Sequence, residues 1–196
     1  MSAPRLQEAL RRIAADLAEA QAARALVGGL AVSARTEPRF TKDIDLAVAV
    51  ADDHDAETLV GYLKSRGYEI AALVEQEAAG RLATVRLIPP GVPSLVVDLL
   101  FASSGIEPEI VKAAESLDVI EGVPLPVATI PHLIATKVLS RDDVRRPQDR
   151  VDLVALLKVA QPSDIAAAQT ALGLIHDRGF HRGKDLLKEL ETLRFT

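Results

Sequence analysis

The sequence predicts an α/β (α+β) fold, in which a small mixed β-sheet of mostly antiparallel flavour is flanked by helices and followed by a C-terminal helical subdomain. Three observations carry this expectation. From Asp43 to Val50 the chain alternates strictly, with Ile44, Leu46, Val48 and Val50 on one face and Asp43, Asp45, Ala47 and Ala49 on the other. Tyr68 to Val74, Arg81 to Ile88 and Ser94 to Phe101 read as three further strands, the last two separated by the turn-rich run Pro89-Pro90-Gly91-Val92-Pro93. Beyond Thr129 the pattern becomes helical throughout. The expected division is a core over residues 1–127 and a helical subdomain over 128–196.

Leu6, Leu10, Ile13 and Leu17 recur at helical spacing, so a helix from about Pro4 to Ala22 is expected to pack its apolar stripe on the sheet. A short apolar strand, Ala25 to Val27, runs into Gly28-Gly29 and a brief helix from Leu30 to Ala34. Asp53 and Asp55 are suited to cap a helix through Leu59, Val60 and Leu63 that stops at Gly67. A helix near Glu107 to Leu117 and a hairpin around Glu121-Gly122 are expected to close the core. Thr129 and Pro131 start the helical part, Pro147 and Pro162 break it, and Gly173, Gly179 and Gly183 interrupt it later.

Composition narrows the function. The chain has 196 residues, 48% of them hydrophobic, which suffices for one core with appended helices. Its net charge of −5 disfavours general attraction to nucleic acid or anionic membranes, so a nucleic-acid partner would need a local basic patch. The absence of cysteine excludes disulfides, thiolate metal sites and cysteine nucleophiles. No signal-peptide or membrane-spanning run is present, and the expectation is a cytoplasmic protein without a membrane partner. His54, His132, His176 and His181 lack metal-ligand spacing, and phosphate-loop, dinucleotide, serine-hydrolase and zincin motifs are absent.

The chemistry concentrates elsewhere. Asp43 and Asp45 are two apart on one strand face, and two anions that close repel unless a cation sits between them. Mg²⁺ (or Mn²⁺) answers this, taking carboxylate oxygens together with substrate phosphates. Asp98 sits among Leu95, Val96, Val97, Leu99 and Leu100, where a carboxylate is costly unless paired or metal-bound. If its strand lies beside that of Asp43 and Asp45, the three form a metal-holding cluster suited to a two-metal mechanism. Removing charge by Asp98→Asn is then expected to leave the metal-free fold intact or more stable. Gly28-Gly29 lets backbone N–H groups approach a phosphate closely, with Arg35, Arg39, Thr41 and Lys42 nearby as further donors.

The run Val27-Gly28-Gly29-Leu30-Ala31-Val32-Ser33, followed by Thr41-Lys42-Asp43-Ile44-Asp45-Leu46, resembles the glycine-pair and Asp-x-Asp signature of the DNA polymerase β-type nucleotidyltransferases. Within that superfamily the chain is similar to the AbiEii-like toxins. Ile134-Ala135-Thr136-Lys137 and Gln148-Asp149-Arg150-Val151-Asp152-Leu153 resemble their helical Lys and following helical Asp. The resemblance implies a nucleoside triphosphate substrate, Mg²⁺, and transfer of a nucleoside monophosphate to a hydroxyl on RNA (tRNA) or protein. It implies catalytic roles for Asp43, Asp45, Asp98, Lys137, Asp149 and Asp152, and nucleotide binding through Gly28, Gly29, Ser33 and Lys42. A cognate antitoxin is a further implied partner. Two rivals remain: a small-molecule transferase of the aminoglycoside-modifying type, which needs an acidic pocket for its cationic acceptor, and a catalytically silent interaction module.

Overall fold

The computed structural model describes residues 3–39, 41–76, 80–120 and 123–194. In chain order the elements are α1 (Ala3–Glu19), β1 (Arg24–Val27), α2 (Gly28–Arg35), β2 (Asp43–Val48), α3 (Asp53–Ser65), β3 (Glu69–Gln76), β4 (Arg81–Ile88) and β5 (Val96–Leu100). Next come α4 (Glu107–Ala113), β6 (Glu115–Ile120), β7 (Val123–Val127), α5 (Ile130–Ser140), α6 (Pro147–Val159), α7 (Pro162–Asp177) and α8 (Leu186–Arg194). The strands form one seven-stranded mixed sheet in the order β3-β4-β5-β2-β1-β7-β6. β2 pairs in parallel with β5 and β1 with β7, while the other neighbours are antiparallel.

Alternation along the strands decides what lies on each face. Ile44 stands opposite Val97, and Leu46 opposite Leu99, so these side chains share a face with Val85 and Leu87 of β4. α1 covers part of that face, with Leu10, Ile13 and Ala14 meeting Leu26, Leu46 and Leu125. Its buried positions Ala9, Leu10, Ile13, Ala14 and Leu17 fall at helical spacing, as the sequence predicts. A polar anchor adds to this packing: the buried Asp16 carboxylate accepts hydrogen bonds from Tyr68 Oη at 2.8 Å and Arg66 Nε at 3.1 Å. On the opposite face Val27, Asp45, Ala47 and Leu100 are overlaid by Ile110 of α4 and by Thr136, Lys137 and Leu139 of α5.

Three local expectations are corrected. The segment expected to continue the helix to Leu117 leaves it at Ala114, which is extended (φ −61°, ψ 142°), and enters β6. There Ser116 and Leu117 face Pro126 and Leu125 of β7, a pairing that no local propensity announces. The turn at Glu121-Gly122 itself lies outside the described residues. α3 is capped by Asp52, whose side chain accepts from Asp55 N at 3.0 Å, and not by Asp53. Asp53 instead accepts from Arg81 Nε at 2.6 Å and Leu82 N at 3.0 Å, tying α3 to β4. Gly173 lies inside α7 without interrupting it, whereas Gly179 adopts φ +80° just beyond its end.

Candidate active site

Gly28 lies where β1 becomes α2, with φ +62°, and a Cβ there would overlap the carboxylate of Asp45. Only glycine satisfies both conditions, so the backbone passes directly over an acidic side chain. A Cβ at Gly29 would come within 2.8 Å of an Arg39 guanidinium nitrogen and 3.1 Å of Thr41 Oγ1. The first turn of α2 has no side-chain cap, and N–H groups of a first turn lack intrahelical acceptors. Such a helix end is suited to receive an anion, and it is set beside Asp45. Ser33 Oγ donates to Gly29 O at 3.0 Å and accepts from Arg39 N at 3.3 Å, so it ties the loop after α2 to the glycine turn. Lys42 is exposed at the end of that loop.

The carboxylates assemble as the alternation predicts. Asp45 stands opposite Asp98 across the parallel β2–β5 pair, and Asp43 lies two residues before Asp45 on the same face of β2. The Asp45 carboxyl is pushed up to about 6, chiefly by burial, then by the charges of Asp98 and Asp43, with Lys137 and Arg146 opposing. Asp98 is 8% exposed and is gripped by Arg86 of β4, which donates from Nε to Oδ1 at 2.9 Å and from Nη2 to Oδ2 at 2.7 Å. That pairing, helped by Asp43 and Asp45, holds the Arg86 guanidinium firmly charged. Among the described residues no three acidic or imidazole side chains are gathered tightly enough to form a ready-made metal cage. The donor set nonetheless fits a hard divalent ion: oxygen ligands on one face, where repulsion from Asp98 and Asp43 adds to burial in lifting Asp45 and a cation would relieve it.

A second cluster joins the helical part to the glycine turn. Lys137 of α5 is 8% exposed, and Asp149 and Asp152 of α6 are 2% and 1% exposed. Lys137 Nζ reaches Asp149 Oδ1 at 2.7 Å and Asp152 Oδ2 at 2.8 Å. Arg39 clasps Asp152 from the other side, with Nε to Oδ1 and Nη2 to Oδ2 both at 2.7 Å. Burial works to raise the Asp152 carboxyl, but the bonds from Arg39 and Lys137 outweigh it and hold it below the usual carboxylate range. Asp149 also accepts from Ser140 Oγ at 2.9 Å and pairs with Arg146 at 3.2 Å. Charges this deeply buried persist only when each has partners, and here each does.

Between these clusters lies a cavity of about 120 Å³ whose lining includes Gly28, Asp45, Ser104, Lys137, Arg146 and Arg182. Glu107, also on its wall, is spent on structure: its Oε1 accepts from Ser103 N at 3.0 Å, Ser104 N at 2.7 Å and Ser104 Oγ at 2.8 Å, fixing the start of α4. Arg182, in the left-handed region at φ 55°, donates to Ser103 O at 3.0 Å.

The structure therefore brings together Gly28, Gly29, Asp43, Asp45 and Asp98 on one side and Lys137, Asp149 and Asp152 on the other. Arg35 goes elsewhere, bonding Glu115 at 2.6 Å and the Val127 and Ala128 carbonyls at 3.1 Å. The grip of Arg86 on Asp98 and the clasp of Arg39 on Asp152 are additions that sequence reasoning misses.

A family model described as "Nucleotidyl transferase AbiEii toxin, Type IV TA system" matches residues 6–195. No curated protein sequence matches significantly. Among solved structures, an antigenic nucleotidyltransferase-like protein from Paracoccidioides brasiliensis is 23% identical, with TM-score 0.55, covering 97% of this chain and 94% of its own. The enzyme ANT(2″)-Ia in complex with adenylyl-2″-tobramycin is 15% identical, with TM-score 0.58, covering 86% of this chain and 95% of its own. At these identities the structural likenesses establish the fold.

Proposed function

From the premise that this chain belongs to the AbiEii family of toxin nucleotidyltransferases, we propose that it transfers a nucleoside monophosphate from a nucleoside triphosphate to a hydroxyl of RNA, in a divalent-metal-dependent reaction. The observation that carries this reading is the face shared by Asp43, Asp45 and Asp98, directly beneath a glycine turn that no side chain can enter. Asp43, Asp45 and Asp98 would hold Mg²⁺ or Mn²⁺, which when bound supplies charge neutralisation for the triphosphate and activation of the attacking hydroxyl. The N–H groups at Gly28 and Gly29 bind and orient phosphate oxygens, with Lys42 at the rim. Lys137, fixed by Asp149 and Asp152, presents its positive charge to the cavity beside Asp45. A carboxylate oxygen of the cluster receives the acceptor's proton, and pyrophosphate leaves as the α-phosphate bond to the acceptor forms.

The acceptor is inferred from the charge around the cavity. Lys137, Arg146 and Arg182 face Asp45 and a Glu107 already engaged by Ser103 and Ser104. Lys137 is matched by Asp149 and Asp152, but the exposed Arg146 and Arg182 at the cavity would repel a cationic drug and attract a phosphate-bearing acceptor. Membership of a toxin–antitoxin family supports a cognate antitoxin as a further partner. Incubation with each α-labelled triphosphate, Mg²⁺ and either total RNA or total protein tests the reading. Label is expected in RNA, dependent on Asp45 and lost in EDTA; label confined to protein, or absent from both pools with every triphosphate, would overturn it.

A further inference from the structure

Arg86 is a cation lodged in the carboxylate cluster for which the transfer reaction has no direct use. We propose that Arg86 is a positioning residue that takes the divalent ion's electrostatic place on Asp98 in the nucleotide-free enzyme and yields carboxylate lone pairs as the ion arrives with the triphosphate. This role rests on the metal-dependent reading of the site. Arg86 and Asp98 are direct cross-strand partners in the antiparallel β4–β5 pair, so the guanidinium fork meets both carboxylate oxygens, at 2.9 Å and 2.7 Å. The two ends differ in freedom. The Arg86 side chain is 48% exposed and that of Asp98 11%, so the guanidinium can give up one carboxylate oxygen toward water while its second bond keeps the carboxylate oriented.

The other cations near the cluster are committed. Lys137 bridges Asp149 and Asp152, and Arg146 pairs with Asp149. Arg86 is thus the cation on Asp98 that a divalent ion would compete with, both for lone pairs and by charge repulsion. An ion arriving alone must displace it, whereas an ion arriving with a triphosphate brings the negative charge that offsets the guanidinium. The expected result is an ordered site, weak for the bare ion and strong for the ion with nucleotide, in which Asp98 never swings free.

Mn²⁺ binding, followed by electron paramagnetic resonance, tests this on the full chain with and without nucleotide. Arg86→Gln should bind Mn²⁺ alone about tenfold more tightly than wild type, the equivalent of one charge-assisted hydrogen bond removed from competition. Asp98→Asn introduced beside it should cancel the gain. Turnover of Arg86→Gln should fall about tenfold with little change in KM for the triphosphate, because orientation of Asp98 acts in the reaction step. Arg86→Lys, which keeps the charge and loses the fork, should fall between the two and guards against a Gln variant that fails to fold. A purely structural Arg86 would lower the melting temperature without tightening Mn²⁺. Unchanged or weakened Mn²⁺ binding in Arg86→Gln, or an Arg86→Lys indistinguishable from wild type, overturns the role assigned to Arg86 alone. A wild type that binds no Mn²⁺ even with each triphosphate present sinks the metal-dependent reading as well.

Discussion

Asp98 and Asp45 occupy adjacent strands, yet their electrostatic situations are opposite. Asp98 is compensated by Arg86, so the expectation that Asp98→Asn stabilises the metal-free fold changes sign. Because Arg86 is half-exposed, the loss should be roughly 1 kcal/mol rather than the larger cost of breaking a fully buried pair. A slightly lower denaturation midpoint in EDTA, together with abolished transfer, is the expected outcome. Among the described residues Asp45 has no such bidentate partner. Its folded carboxyl, near 6 against an ordinary 3.8, holds a proton that the unfolded chain has already lost between those values. The contribution of Asp45 to the stability of the metal-free protein should therefore fall as pH rises from about 4 to 6, by up to about 3 kcal/mol, against the opposite slope of Asp152 and the other carboxyls held low. Denaturant titrations of wild type and Asp45→Asn at pH 4.5 and 7 in EDTA should show this as a wild-type stability that falls relative to the variant as pH rises. The three carboxylates and the glycine pair are legible in the sequence because strand alternation and glycine's backbone freedom are local properties. Arg86 is not, because its meaning depends on which strand lies beside it, and register is a long-range fact.

At the scale of elements, α5 and α6 are joined to the core by the buried charges of Lys137, Asp149 and Asp152 and by the partly exposed Arg39 that clasps Asp152. A lysine at this position reads from sequence as a phosphate contact, and its removal as a loss of nucleotide affinity of about 1–3 kcal/mol. The structure adds a larger effect. Lys137→Ala strips a partner from two buried carboxylates, so a stability loss of about 3–5 kcal/mol is expected. Urea titration of the variant beside a nucleotide titration at low temperature separates the two effects; undiminished stability would mean that Arg39, Ser140 and Arg146 suffice for Asp149 and Asp152. Most elements can be read from periodicity, α1 and β2 above all. β6 cannot, because Glu115 to Ile120 becomes strand by pairing with β7, and a short mixed segment carries no period that distinguishes it from the end of a helix. The anchoring of α1 through Asp16, Tyr68 and Arg66 is hidden for the same reason.

For the whole molecule, a net charge of −5 means that RNA can dock only through local fields. Arg145, Arg146, Arg150 and Arg182 are exposed in the helical part, and Arg146 and Arg182 reach the cavity beside Asp45. The double change Arg146→Ala and Arg182→Ala should raise KM for an RNA acceptor about tenfold at moderate salt and lower the salt dependence of binding by about one to two in slope. An unaltered slope would place the RNA elsewhere. The clasp of Arg39 on Asp152 links residues 113 apart in sequence. The nascent chain therefore holds an incomplete centre for most of its synthesis: Asp43 and Asp45 emerge early, but the helix that fixes Arg39 and Lys137 comes from the last third. At ribosomal speeds of about 5–20 residues per second, translation of such a chain lasts roughly 10–40 s. For a member of a toxin nucleotidyltransferase family, this delay means that the proposed site would stay incomplete until α6 has left the ribosome.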